Sequence, residues 1–282
     1  MADGGLRPLA LVTGASAGIG EAFARELAAR GHDLIVVARR RERLEALAAD
    51  LPTAVRVVPA DLSTEEGLAD VERVIEESPV GLLVNNAGLG VYGPVSGQDL
   101  GALAATVAVN VEAPVRLTRA ALPRMVDAGA GGVIAVSSPA GQRPKPRLAA
   151  YAASKAFIDL FFEALRQEVA ARGVGVTIVS PGYTRTEWHC RAGQDVSAVR
   201  PEEWLQPAAV ARAALDAWAE GRPRVDLGTH APRALPMRVA RSAYLRLPPR
   251  VRDTAGVQHL RELVNRPERR GEPVGPRGLD VR

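Results

Sequence analysis

The sequence predicts an α/β fold, a doubly wound parallel sheet with helices on both faces and a basic C-terminal extension, and three observations predict it. Nearly continuous apolar runs of strand length recur between residues 9 and 182, segments of helical period separate them, and a glycine-rich turn joins the first run to the first helical segment. Strands buried on both faces read as unbroken apolar runs, and amphipathic helices between them supply the two covering layers.

Taken in order, LALVTG (9–14) is the first strand. After the turn, IGEAFARELAARG repeats Ile19, Phe23 and Leu27 at helical spacing until Gly31 supplies a C-cap. DLIVVARR (33–40) is a second strand, ERLEALAADL (42–51) a second helix and AVRVVPADL (54–62) a third strand. VGLLVNNAG (80–88), GGVIAVSS (131–138) and GVGVTIVSPG (173–182) complete six strands, with helices between and after them. One domain over residues 1–225 results, with residues 226–282 as an arginine-rich extension.

Composition excludes several function classes. The 282 residues are 47% hydrophobic with a mean hydropathy of −0.02, enough for one large core. The opening MADGGLRPLALVTG is not expected to act as a secretory leader, and no uninterrupted apolar stretch approaches the ~18 residues of a membrane span. A cytoplasmic protein is expected. The single Cys190 permits no internal disulfide, and His32, His189, His230 and His259 show no ligand spacing, so no metal site is expected. Residues 222–282 hold fourteen arginines against six acids, leaving 22 basic and 26 acidic side chains in the remainder. Basicity confined to that segment, without interleaved aromatics, argues against nucleic acid.

The turn TGASAGIG (13–20) carries Gly14, Gly18 and Gly20, with Ser16 and Ile19 among them. Glycine serves where a backbone must approach a ligand closely, and the following helix directs free N–H groups toward an anion. It is either structural or the phosphate turn of a dinucleotide site; no Lys and Ser/Thr follow the last glycine, which excludes an ATP-type P-loop. After the second strand stands VVARRRER, with Arg39, Arg40 and Arg41 where an NAD site usually places an acid. These arginines either open a solvated helix or meet a 2'-phosphate. Cations oppose the dipole at a helix N-terminus, which favours NADP(H) as the preferred cofactor with NAD(H) possible.

Residues 151–157 read YAASKAF in a chain with only two lysines against 34 arginines. Tyr151 and Lys155 share one helix face at that spacing. They are either a solvated edge or a pair in which the ammonium lowers the phenol pKa from its free value of about 10. Ser138 either caps a turn in SSPAG or sits at a strand end where such sheets bind ligands.

With TGASAGIG, DL (61–62), NNAG (85–88), Asn110 in VAVNVEAP, SS (137–138), YAASK (151–155) and PGYTRT (181–186) in this order, the chain resembles the short-chain dehydrogenase/reductase family across residues 8–190. The resemblance implies a Rossmann fold and an NADP(H)-dependent ketoreductase acting on a carbonyl compound or secondary alcohol. It implies that Gly14, Ser16, Gly18, Ile19, Gly20, Arg39 and Arg40 bind the nucleotide. Asp61 and Leu62 would lie at the adenine edge, with Asn85, Asn86, Ala87 and Gly88 shaping the floor beneath the adenosine ribose and sheet end. Pro181, Gly182, Thr184 and Thr186 would border the nicotinamide. Ser138, Tyr151 and Lys155 would form the reactive set, with Asn110 behind them, binding a water toward Lys155, kinking its helix through a backbone hydrogen bond, or both at once. Tyr151 and Lys155 would also contact the cofactor. The resemblance further implies a homodimer or homotetramer, with Phe157, Leu160, Phe161 and Leu165 offering surplus apolar surface.

The substrate is less determined. Gln142, Arg143, Lys145 and Arg147 occupy the loop before Tyr151, and YTRTEWHCRAGQDV (183–196) resembles a substrate lid whose Trp188 either covers an apolar substrate or packs the lid. In the tail, MRVARSAYLRL (237–247) could form a basic amphipathic helix, membrane contact being a minor option, and residues 267–282 have a disordered composition. The alternative to an enzyme is a nucleotide-binding scaffold or regulator of the same fold, because a fold does not establish chemistry.

Overall fold

The computed structural model describes residues 7–228, so the segment 237–247 and residues 267–282 lie outside the described residues. Among those described, seven strands form one sheet: β1 (Leu9–Thr13), β2 (Asp33–Ala38), β3 (Val55–Pro59), β4 (Val80–Asn85), β5 (Gly131–Val136), β6 (Val174–Pro181) and β7 (Arg224–Leu227). Their order is β3-β2-β1-β4-β5-β6-β7, with every neighbouring pair parallel. The chain winds outward from β1 to β3 and then returns to build β4 on the other side. That reversal opens a crevice at the C-terminal ends of β1 and β4.

The helices are α1 (Gly18–Ala29), α2 (Arg41–Asp50), α3 (Glu65–Glu77), α4 (Leu100–Val107), α5 (Ala113–Ala128), α6 (Ala149–Val169), α7 (Trp188–Arg191) and α8 (Pro207–Ala219). Successive residues of a strand face opposite sides of the sheet, and the two cores follow that period. Ala10 and Val12 of β1 pack with Phe23 of α1, Leu44 of α2 and Val210 of α8. Leu11 faces the other layer, with Leu68 of α3, Leu117 of α5 and Phe162 of α6. Both faces of β1 are therefore apolar, as a doubly covered strand requires.

Two expectations change. Six strands become seven, because RVDL alternates a charge with each apolar residue, as a half-exposed edge strand does, and does not read as a buried run. On α6, Leu165 belongs to the core with Phe162, while Phe157 and Leu160 remain exposed, so the outward apolar surface is smaller than four residues. The helical run Leu100–Ala128 is long and apolar enough to cross a membrane by length and composition, although charges at Glu112, Arg116, Arg119 and Arg124 interrupt it as an apolar stretch. Its inward side, including Val109, Ala113 and Leu117, lies in the sheet's core.

Candidate active site

Thr13, the last residue of β1, ties the crevice together. Its hydroxyl donates to the Val84 carbonyl at 3.2 Å and accepts from the Asn86 and Ala87 amides at 3.0 Å each, while Asn86 Nδ2 donates to the Thr13 carbonyl at 2.8 Å. This clasp holds the turn after β4 against the glycine turn after β1. Gly14 adopts φ +68°, and a Cβ there would stand 2.8 Å from Asn86 Nδ2; one on Gly20 would overlap the Gly14 carbonyl. The turn thus needs glycine for its own closeness. α1 begins without a side-chain cap at Ala17, whereas Thr64 and Asp99 cap α3 and α4. The first-turn N–H groups of α1 are left for an anion.

The reactive side chains come from the end of β5 and the first turns of α6. Ser138 follows β5, and its Oγ accepts from the Ala140 amide at 3.2 Å. Tyr151 is half-buried, and loss of solvent pushes its phenol up to about 12, opposed by a hydrogen bond with Ser138. The Lys155 ammonium lies 5.8 Å from the phenol ring centroid. Lys155 itself is 4% exposed and donates to the Val136 carbonyl at 2.8 Å. Burial pulls its ammonium down to about 8 against the opposing pull of Asp159. A phenol and an amine displaced in opposite directions side by side mark a site where protonation states matter.

Asn110 sits in a single wide π-type turn, Ala108–Glu112, that joins α4 to α5. Its Oδ1 accepts from the Leu89 amide at 2.8 Å, and its Nδ2 donates to the Leu89 carbonyl at 2.8 Å and to Ser154 Oγ at 2.9 Å. The same Ser154 hydroxyl donates to the Tyr151 carbonyl at 2.7 Å. Asn110 thereby joins the loop after β4 to the helix that carries Tyr151 and Lys155. A Cβ on Gly88 would lie 3.5 Å from Lys155 Nζ and 3.6 Å from Asn110 Oδ1, so only this bare glycine separates the two groups.

At the far end, Arg40 donates to Ser16 Oγ at 3.0 Å and 3.2 Å and to the Ser16 carbonyl at 3.3 Å, laying its guanidinium along the glycine turn. Arg39 instead approaches Asp61 at 3.6 Å. Although burial alone would raise the Asp61 carboxyl, hydrogen bonds from the Ser63 amide and hydroxyl, with Arg39, hold it below its ordinary range. The lid residue Glu187 reaches Arg40 at 3.0 Å and Arg43 at 2.7 Å.

One cavity of about 350 Å³ connects these groups. Gly14, Ser16, Gly18, Ile19, Arg39, Arg40, Asp61, Leu62, Asn86, Ala87, Gly88, Ser138, Tyr151, Lys155, Pro181, Gly182, Thr184 and Thr186 all line it. Gly20 and Asn110 do not; they support its wall from behind. Three participants had not been singled out. Thr13 was readable as a polar residue ending an apolar strand, but Glu187 and Gly90 gave no local signal. A Cβ on Gly90 would press on the Trp188 ring, which itself lies 4.6 Å from the Tyr151 ring. The cation Arg40, the carboxylate Asp61, the uncapped turn and the buried ammonium fit a dinucleotide: a phosphate at Arg40, the pyrophosphate at the turn, and ribose hydroxyls at Lys155.

A family model described as short chain dehydrogenase matches residues 8–196. Sulfoacetaldehyde reductase 2 of Chromohalobacter salexigens is 40% identical over 198 residues, covering 67% of this chain and 78% of that protein. The very-long-chain 3-oxoacyl-CoA reductase of Anas platyrhynchos is 33% identical over 213 residues, 72% of this chain and 68% of that protein. A short-chain dehydrogenase from Sphingobium yanoikuyae, solved in complex with NADPH, superposes with a TM-score of 0.75 at 31% identity, covering 94% of this chain and 98% of that one.

Proposed function

The chain belongs to the short-chain dehydrogenase family, and we propose that it is an NADP(H)-dependent reductase of carbonyl compounds with Ser138, Tyr151 and Lys155 as its catalytic residues. The observation that carries this reading is the convergence of those three side chains on the cavity that also holds the glycine turn. When bound, the nucleotide supplies or accepts the hydride. Ser138 donates a hydrogen bond to the substrate oxygen and fixes it beside Tyr151. Tyr151 gives that oxygen its proton in reduction and takes it back in alcohol oxidation. A phenol kept neutral by burial is poised to donate, and the Lys155 ammonium stabilises the phenolate left behind while its other protons hold ribose hydroxyls. Asn110 is a positioning residue: through Ser154 and Leu89 it sets where α6 stands.

Arg40 is the better partner for a 2'-phosphate than Arg39, since it already lies on the phosphate turn whereas Arg39 faces Asp61. Arg143 and Lys145 line the cavity and have no carboxylate within 4 Å among the described residues, which supports a substrate carrying an acidic group. Sulfonated or carboxylated aldehydes and ketones are therefore the first compounds to test. We read the protein as a cytoplasmic homodimer or homotetramer, and exposed Phe157 and Leu160 on α6 support the assembly.

The test follows NADPH absorbance across acidic and neutral aldehydes and ketones, with nucleotide affinities measured alongside. Turnover with NADPH, lost in Tyr151→Phe, is the expected result. Tight NADPH binding with no turnover on any compound would favour the scaffold.

A further inference from the structure

Glu187 is the first side chain of the lid after Thr186, and it does not point into solvent alone. Its carboxylate meets Arg43 at 2.7 Å, Arg40 at 3.0 Å and Arg191 at 2.7 Å. Two of these arginines lie beyond β2, across the cavity from the lid. The next residue, Trp188, packs against Tyr151 with ring centroids 4.6 Å apart and the planes tilted by 46°. One short segment thus carries an anion on the arginines at one end of the cavity and a ring over the phenol at the other. The arginines hold the Glu187 carboxyl well down, at about 2, so it stays charged throughout the ordinary pH range.

We propose that Glu187 is a specificity-determining residue: it stands on Arg40 and Arg43 in place of the nucleotide's 2'-phosphate, and its displacement frees Trp188 from Tyr151. The inference rests on the reading of Arg40 as the phosphate's partner. A phosphate brings up to two negative charges and three acceptor oxygens, against one charge and two oxygens for the carboxylate, so it wins the guanidinium forks. A ribose with a free 2'-hydroxyl brings no charge and leaves the pairs intact. Because a ligand moves an equilibrium only through its different affinity for the two states, the phosphate moves the lid and the hydroxyl does not. Glu187 then lowers the affinity for nucleotides carrying a 2'-phosphate while making the lid's position depend on that phosphate.

The full-length chain can be titrated with adenosine 2',5'-bisphosphate and with adenosine 5'-monophosphate, by calorimetry and by tryptophan emission. Subtracting the signal of Trp188→Phe isolates Trp188 from Trp204 and Trp218. The bisphosphate is expected to change Trp188 emission and the monophosphate to leave it alone. Glu187→Gln should already show the shifted emission without ligand, and should bind the bisphosphate about tenfold more tightly with monophosphate affinity unchanged, the scale of one charge-assisted hydrogen bond. An unchanged ratio of the two affinities in Glu187→Gln, or Trp188 emission indifferent to saturating bisphosphate, would overturn the proposal while leaving the cofactor assignment intact. Equal affinities for both probes in the native chain, unaltered by Arg40→Ala, would remove the cofactor assignment and this proposal with it.

Discussion

Lys155 is a buried charge proposed to serve two partners. Lys155→Met should weaken nucleotide binding and slow chemistry together, because in the proposed reading one ammonium supports the phenol and holds ribose hydroxyls. Tyr151→Phe should keep the nucleotide bound and lower single-turnover rates by roughly 100-fold or more. Near-native rates in both would return the pair to a structural role. A pH dependence follows from the same residue. Burial sets the free-protein ammonium at about 8 instead of 10.5, with Asp159 opposing. Ribose hydroxyls that accept from the ammonium hold its proton on, so nucleotide affinity should be full below pH 8 and fall as the pH rises beyond it, as calorimetry across pH 6.5 to 10 would show. For the fold the sign is that of any depressed value: this group's contribution is complete above 10.5 and is lost as the pH falls through 8. The Tyr and Lys were legible from spacing and resemblance, but the direction of the phenol's shift was not, since burial by Trp188 and Gly90 is decided by residues distant in sequence.

At the scale of elements, α8 shows how tightly the sheet specifies its cover. The Trp218 ring lies over bare backbone at Gly132 of β5 and Gly175 of β6, and a Cβ on Gly132 would penetrate the ring. Gly132→Ala should therefore destabilise the protein by about 1 to 3 kcal/mol, the usual cost of overpacking, measured as a lower midpoint in urea. A native midpoint would mean that α8 shifts freely, contrary to the packing of Val210, Ala214 and Leu215 in the same layer. The strands and most helices were legible because burial on both faces leaves a periodicity that no local choice obscures. β7 was not, because an edge strand with Arg224 and Asp226 pairs its charges with each other, and Arg224 also with Asp159, so it shows no apolar run. The wide turn at Asn110 was half legible: a kink with a backbone hydrogen bond was expected, and the side chain does bond the Leu89 backbone, whereas its bond to Ser154 joins segments 44 residues apart.

For the whole molecule, the apolar surface that remains outside the two cores bears on assembly. Leu160 is 76% exposed and Phe157 39%, on the helix whose other face carries Lys155 and Phe162. Leu160→Arg should shift light scattering at micromolar concentration from an oligomer to a monomer, while leaving nucleotide affinity unchanged; a native chain that is already monomeric would reject the assembly. The sequence by itself determined six of the strands, most helices and the glycine turn, because each is written in period or local chemistry, and it put Ser138, Tyr151 and Lys155 forward as a set through their resemblance to the family. Only the tertiary structure decided that Arg40 and not Arg39 lies along the phosphate turn, that Trp188 covers Tyr151, and that Glu187 sits on the arginines beyond β2. These are contacts between segments 24 to 147 residues apart, and their energies depend on distances and desolvation that exist only once the sheet has brought the loops to one edge.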